Sequence, residues 1–270
     1  MRFLKGHGTE NDFVILPDPE GEVDVTASLV AKICDRRAGI GADGVLRVVR
    51  TKQSHEVADQ ASAAEWFMDY RNSDGSMAEM CGNGVRVFAR YLMDAGLVHA
   101  TEFGVATRGG LRKVRAEPNG DITVDMGKPV IRGQSVASVG GHEYPGIHVD
   151  MGNPHLACAI GDPVLQLDLH HQPGFDTRVF PAGVNVELFN PVGVSRAVMR
   201  VYERGSGETR ACGTGAVATA VAAAQLSGDT TGTWTVEVLG GTLTVILDED
   251  TSYLSGPAVI IASGELMLAE

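Results

Sequence analysis

Two cysteines stand in nearly the same glycine-rich frame, Met80-Cys81-Gly82-Asn83-Gly84-Val85-Arg86 and Ala211-Cys212-Gly213-Thr214-Gly215-Ala216-Val217, 131 residues apart in a chain of 270. Each frame opens a helical stretch, residues 85–96 and 216–228. The first amides of a helix have no partner within it, and the aligned peptide dipoles add about half a positive charge there. A thiolate at that end is stabilised by at most ~2 kcal/mol, which would lower a thiol pKa from ~8.5 by about one to one and a half. Glycine on either side lets a ligand carboxylate approach the same amides. One such cysteine suits a nucleophile. Two in repeated frames suit a pair acting on one bound carbon, a thiolate removing a proton from one face while a thiol delivers one to the other. That chemistry is stereoinversion at an α-carbon, and it calls for no metal and no pyridoxal cofactor. The chain has five lysines and none after Lys128, which also speaks against a pyridoxal enzyme.

The other chemistry-bearing residues take plainer readings. Cys34 and Cys158 stand outside any repeated frame and read as small buried hydrophobes. The run Gly39-Ile-Gly-Ala-Asp-Gly44 matches a dinucleotide fingerprint in letters only, because it follows a helix and precedes a strand-like stretch. His170-His171 has no third ligand at metal spacing, and no metal site is expected.

The elements that must hold the two cysteines repeat with them. Residues 66–80 and 198–211 are each an apolar stretch ending in tyrosine (Tyr70, Tyr202), followed by a polar loop containing glycine. Each helical stretch stops at a glycine, Gly96 or Gly228, and strand-like residues are then broken by Gly109-Gly110 or Gly240-Gly241, a hairpin signal. Residues 35–48 match 176–189, and residues 6–16 match 150–160. Each copy reads as strands, a helix, more strands, a cysteine loop, a central helix and a hairpin. Both central helices are apolar nearly all round, the pattern of helices buried on every side. The expected fold class is α+β: two pseudo-symmetric domains from an internal duplication, each a mostly antiparallel β-sheet wrapped around a central helix. Residues 26–38 read as a short amphipathic helix capped by Thr26, with Leu29, Val30, Ile33 and Cys34 inward. The Gly-, Pro- and Ser-rich stretch near 126–145 reads as the linker.

Composition bounds the partners. With 44% apolar and 21% charged residues the chain can bury a core without disulfides or metals. A net charge of −12 without any Lys/Arg-rich run argues against nucleic acid and anionic membranes as partners. The first residues lack the apolar stretch of a signal peptide, no segment reads as a membrane span, and free thiols fit a reducing compartment, so a cytoplasmic location is expected.

Met80–Arg86, residues 203–216 (ERGSGETRACGTGA), residues 8–13 (GTENDF) and residues 151–155 (MGNPH) together resemble the diaminopimelate epimerases, from about Gly6 to the C-terminus. The resemblance implies a cofactor-independent isomerase that interconverts LL- and meso-diaminopimelate for lysine and peptidoglycan synthesis. It implies an active site in the cleft between two domains, residues 1–125 with 257–270 and residues 126–256, each supplying one catalytic cysteine, Cys81 and Cys212. Substrate contacts carried over by motif fall on Asn11, Asn72, Asn153, Asn185, Glu203 and Arg204. The amides of Gly82-Asn83 and Gly213-Thr214 would hold the α-carboxylate, with His155 and Glu203 as supporting polar groups. The family often has Gln where this chain has Gly44, so no side-chain contact is assigned there. Asn offers donor and acceptor to a zwitterion and Arg grips a carboxylate bidentately, which fits those roles. The partner expected is a small molecule, diaminopimelate. Oligomeric state is not readable from the sequence, and a homodimer is carried as the candidate assembly. Two other readings stay open: a proline racemase-like amino acid racemase, and a non-catalytic amino acid-binding protein of the same fold.

Overall fold

The computed structural model describes residues 1–267, and its internal contacts divide the chain into two units, Met1–Val124 joined by the segment from Pro257 onward, and Asp125–Gly256. Of the return segment expected at 257–270, residues 268–270 lie outside the described residues.

In the first unit the strand Arg2–Gly8 pairs antiparallel with Val259–Glu265 on one side and with Asn11–Pro17 on the other. Asn11–Pro17 runs parallel to Gly44–Arg50, which pairs antiparallel with Trp66–Asn72; that strand runs parallel to Glu102–Ala106. Arg112–Ala116 and then Ile122–Asp125 complete the order, both antiparallel. Parallel neighbours cannot be joined by a tight turn and need a crossover. The two crossovers here contain helix α1 (Ala27–Cys34) and helix α2 (Gly82–Asp94).

The second unit repeats the same succession of strand senses. Val130–Val139, His142–Asp150 and Pro154–Ala159 are successively antiparallel, and Pro154–Ala159 runs parallel to Asn185–Gly193. Asn185–Gly193 is antiparallel to Arg196–Glu203, which runs parallel to Gly232–Val238. Gly241–Leu247 and Ser252–Gly256 follow antiparallel. The second crossover carries helix α3 (Gly213–Ser227), in the place α2 holds in the first unit. The first crossover of this unit has no α-helix, only a single 3₁₀ turn at Val164–Gln166. The copies therefore differ where the repeat had predicted a helix in both, because Pro163, Pro173 and Pro181 interrupt this stretch and remove backbone donors.

α2 and α3 are the cores around which their sheets wrap, each packed against strands of its own unit. α2 buries Val85, Val87, Phe88, Ala89 and Leu92, and α3 is buried without interruption from Gly213 to Ala224. Ala216, Ala218, Ala220, Ala222, Ala223 and Ala224 give α3 a thin, strongly helix-forming body that lets strands close in on every side. α3 ends on Gly228 at φ 80°, the left-handed conformation that glycine adopts without penalty.

Two other expectations are corrected. Helix α1 does have Thr26 as its N-cap, accepting from the Leu29 amide at 3.2 Å, but it stops at Cys34 rather than continuing to 38. Asp35 ends it, because its carboxylate accepts the amides of Arg37 and Ala38, each at 2.7 Å. The stretch near 126–145 is not a linker: Val130–Val139 and His142–Asp150 form a hairpin closed by Gly140-Gly141, with φ of 60° and 84°. Two left-handed residues are what a two-residue turn of matching twist requires. Among the described residues no helix is long and apolar enough to cross a membrane.

Because α3 is packed tightly on all sides, Ala220→Leu is expected to destabilise the protein by about 1–3 kcal/mol. The urea midpoint reads this directly, and a wild-type midpoint would contradict an all-round contact.

Candidate active site

Cys81 is the N-cap residue of α2, in extended conformation, half-buried. Its carbonyl accepts the first helical bond from Val85 at 2.8 Å, and its sulfur accepts from the Gly84 amide at 3.4 Å. The thiol donates to Asn11 Oδ1 at 3.6 Å. Asn83, buried in the first turn, also donates to Asn11 Oδ1, at 3.2 Å, while Asn11 Nδ2 donates to Asp43 Oδ2 at 2.7 Å. Gly82 and Asn83 are the first residues of the helix, where amides lack intrahelical acceptors. The structure thus gathers Cys81, Asn11, Gly82 and Asn83. Asn72 is engaged elsewhere in a turn, where its side chain donates to Ser76 Oγ at 3.0 Å.

Behind Asn11 lies a charged cluster that sequence reading had not assigned. Arg36 bridges Asp12 and Asp43 at 2.7 and 2.8 Å, and Lys5 reaches Asp12 at 2.6 Å. Burial disfavours the Asp12 carboxylate, but hydrogen bonds from Arg36 and Lys5 outweigh it and hold its pKa at about 2. Asp43 moves the other way, pushed up by burial and by the charge of Asp12. Gly44, next in sequence, lies in a close strand contact. A β-carbon there would stand 2.4 Å from the Arg71 carbonyl oxygen and 2.7 Å from the Tyr70 ring.

In the second unit Cys212 is the N-cap of α3 and is 6% exposed. Thr214 Oγ1 lies 3.5 Å from its sulfur. Glu203, whose charge acts on the same thiol, accepts from the Thr209 hydroxyl. A second carboxylate, Glu187, is fully buried; its Oε1 meets His155 Nδ1 at 2.7 Å, and its Oε2 has no hydrogen-bond partner among the described residues. His155 Nε2 meets Asn153 Oδ1 at 3.1 Å. Asn185 donates to the Pro154 carbonyl at 3.2 Å and accepts the Arg204 amide at 2.9 Å. The Arg204 side chain is exposed.

The electrostatics of Cys212 reverse the sequence expectation of a lowered thiol pKa. Burial pushes it well above the ordinary value, the charges of Glu203 and Glu187 push it further, and the bonds from Thr214 and Gly215 only partly oppose them. Desolvation of a buried thiolate, with two carboxylates beside it, outweighs a helix-end effect of at most ~2 kcal/mol. Burial likewise raises Glu203 and Glu187, each opposed by hydrogen bonds and by His155. Cys212 at rest is therefore a thiol.

A family model for diaminopimelate epimerase matches residues 3–132 and 147–261. The diaminopimelate epimerase of Thermobifida fusca is 57% identical, covering 100% of this chain and 99% of the relative. The chain belongs to the diaminopimelate epimerase family. It is accordingly an isomerase with a small-molecule substrate. The family's enzyme from Streptomyces coelicolor is 52% identical over 98% of this chain and 95% of its own length. Solved structures share the fold at lower identity. A phenazine biosynthesis protein of the PhzF family from Bacillus anthracis superposes at TM-score 0.73 with 15% identity, covering 99% of each chain. A hydroxyproline epimerase from Agrobacterium vitis superposes at 0.66 with 12% identity, covering 98% of this chain and 91% of its own. Within the family frame, Asp43, Arg86 and Glu187 are residues that motif reading passed over. The available signal was a polar residue inside an otherwise apolar helix or strand, as in VRVF and VNVELF.

The direction of the Cys212 shift sets a measurable outcome. Alkylation of Cys212 by iodoacetamide in the free protein is expected to be slow near neutral pH and to keep rising above pH ~9, the thiolate fraction being small below that. Glu203→Gln removes one of the raising charges and should move the profile to lower pH. A Cys212 profile already flat at pH 8 would contradict the resting thiol.

Proposed function

We propose that the protein interconverts LL- and meso-diaminopimelate, in lysine and peptidoglycan biosynthesis, by proton transfer between the α-carbon and two cysteines without a cofactor. One sulfur, as thiolate, takes the α-proton as the C–H bond breaks. The other, as thiol, gives its proton to the opposite face of the same carbon, so the protonation states of the two sulfurs exchange with each turnover. The observation that carries the reading is that both cysteines cap a buried central helix, each with its own acceptor or donor set, in a chain that matches this family over nearly all its length.

The roles proposed are those the family resemblance implies. Cys81 and Cys212 are the proton-transfer groups. The amides of Gly82-Asn83 and Gly213-Thr214 stand at helix N-termini, which favour a carboxylate. Asn11, Asn72, Asn153, Asn185, Glu203 and Arg204 bind the rest of the zwitterion, and Glu203 is placed to accept the Cys212 proton when that sulfur must act as base. His155 supports this by its bond to Glu187. The same reading has the enzyme in the cytoplasm, where four free thiols are stable, acting on a small zwitterion and not on nucleic acid or a membrane surface. A homodimer is its assembly; sedimentation as a monomer would remove that part alone.

The test is incubation of reduced protein with LL-diaminopimelate in D₂O, following α-deuteration and diastereomer by NMR. Deuterium entering at one α-carbon together with meso product is the expected result. Cys81→Ser and Cys212→Ser should each lower kcat by roughly 10²–10⁴, the usual worth of a positioned acid or base. Turnover of proline in place of diaminopimelate would move the assignment to the proline racemase class. Binding without any exchange would leave a non-catalytic role.

A further inference from the structure

Arg86 follows Cys81 by five residues on α2, and its side chain is fully buried. Its guanidinium donates to Asn83 Oδ1 at 2.6 Å, to Thr9 Oγ1 at 3.2 Å and to the Pro257 carbonyl at 2.8 Å. All three acceptors are neutral. Among the described residues no carboxylate forms an ion pair with it, and its Nε has no hydrogen-bond partner. A buried cation without a counter-ion is unfavourable, and a fold that keeps one calls for a use. Burial pulls the Arg86 pKa down to about 10, and of the negative charges that pull it back, Cys81 comes before Asp121.

The same guanidinium also orients the amides around Cys81. Arginine donates and never accepts, so the Asn83 carbonyl is turned towards it, which leaves Asn83 Nδ2 to donate to Asn11 Oδ1 at 3.2 Å. At the far end Asp43 Oδ2 takes two N–H donors, Asn11 Nδ2 at 2.7 Å and the Asp12 amide at 3.1 Å, and so faces Asn11 as an acceptor. With a pure donor at one end and an acceptor at the other, neither asparagine is free to flip. Asn11 is left with its oxygen towards the Cys81 thiol.

We propose that Arg86 is a positioning residue for Cys81, a buried cation that holds the Asn83–Asn11 amide chain in one direction and supports negative charge on the sulfur. This rests on reading Cys81 as a proton-transfer group. Besides Asp121, whose charge also acts on Arg86, the neighbouring polar groups have partners of their own. Lys5, Asp12, Arg36 and Asp43 form their own cluster beyond Asn11, His7 accepts from the Glu10 amide, and Tyr70 meets Phe13 edge-on. Asp43 still faces Asn11 as an acceptor when the arginine is replaced, and Gln or Lys at 86 still offers an N–H donor to Asn83 Oδ1, so the difference between these two variants reads the charge.

The test measures the pH profile of iodoacetamide reaction at Cys81 in the free full-length protein, by peptide mass spectrometry, with Cys212 as internal reference. In Arg86→Gln the Cys81 midpoint is expected to rise by about one pH unit, the scale of losing one nearby opposite charge. Arg86→Lys restores the charge and should return most of that shift, while a merely space-filling role would not distinguish Lys from Gln. Thr9→Asp guards against misfolding of the cavity-forming variant. It places a carboxylate beside Nη2 and leaves the arginine in place, at a position with φ 51° that suits Asp better than a β-branched residue. It should raise the Cys81 midpoint similarly and leave Cys212 unmoved. A wild-type Cys81 midpoint in folded Thr9→Asp overturns the proposal. The titration uses no diaminopimelate, so a protein that shows these shifts yet fails to epimerise that substrate loses the proposed function and keeps this inference.

Discussion

A helix buried from its N-terminus onward must still do something with its first amides. At the surface water satisfies them; inside a sheet they need an acceptor or a ligand. In the first unit that constraint is met by a cysteine as N-cap whose sulfur accepts the amide two residues beyond the helix start, from Gly84, and in the second unit a cysteine again holds the N-cap position. The small residues around each cysteine follow from it. Gly215 leaves no room for more, since a β-carbon there would stand 2.6 Å from a Glu187 oxygen, and one at Gly84 would press on the Leu46 side chain at 3.3 Å. The sheets close around the helices, the crossovers feed them from one end, and the cap residue becomes the one polar position where chemistry is available at the end of a buried helix.

On that shared backbone the two cysteines meet opposite surroundings. Cys81 caps the helix that carries a buried guanidinium five residues on, and it bonds neutral amides. Cys212 is enclosed with the charges of two carboxylates, Glu203 and Glu187, the second bonded to histidine. Duplication gives two equal frames, yet a reaction that needs one base and one acid at any moment needs them unequal. The inequality resides in the side chains that line each pocket rather than in the helix ends, whose dipoles are the same.

Much of this was legible from residue types. Thr26, Gly228 and the two Cys-Gly frames obey local capping rules, which depend on neighbours only a few residues away and therefore survive translation from sequence to structure. The apolar character of residues 85–96 and 216–228 sufficed to bury two helices. What was not legible depended on the rest of the fold. Arg86 in an apolar helix and Glu187 in an apolar strand become unusual only when strands cover them. Asp43, in a glycine run set aside as an empty motif, acquires a role because Asn11 lies beside it in the folded unit. The glycines at 140 and 141 were read by composition, which marks a linker and a hairpin turn alike; their φ values separate the two.

The seam between the first and last strands also governs how the chain can be made. Arg2–Gly8 pairs with Val259–Glu265, and the Met1 and Leu266 main chains bond each other across it at 3.1 and 2.7 Å. A β-carbon at Gly6 would stand 2.8 Å from the Val259 carbonyl oxygen, so the contact is close. Unit Asp125–Gly256 is contiguous and is complete once its own residues have left the ribosome, whereas the unit containing the N-terminus lacks an edge strand until nearly the entire chain has emerged. Synthesis therefore reverses the usual N-terminus-first order of domain completion. For most of translation the nascent chain carries Arg2–Gly8 as an open sheet edge, the kind of surface that recruits chaperones or pairs with a neighbouring nascent chain.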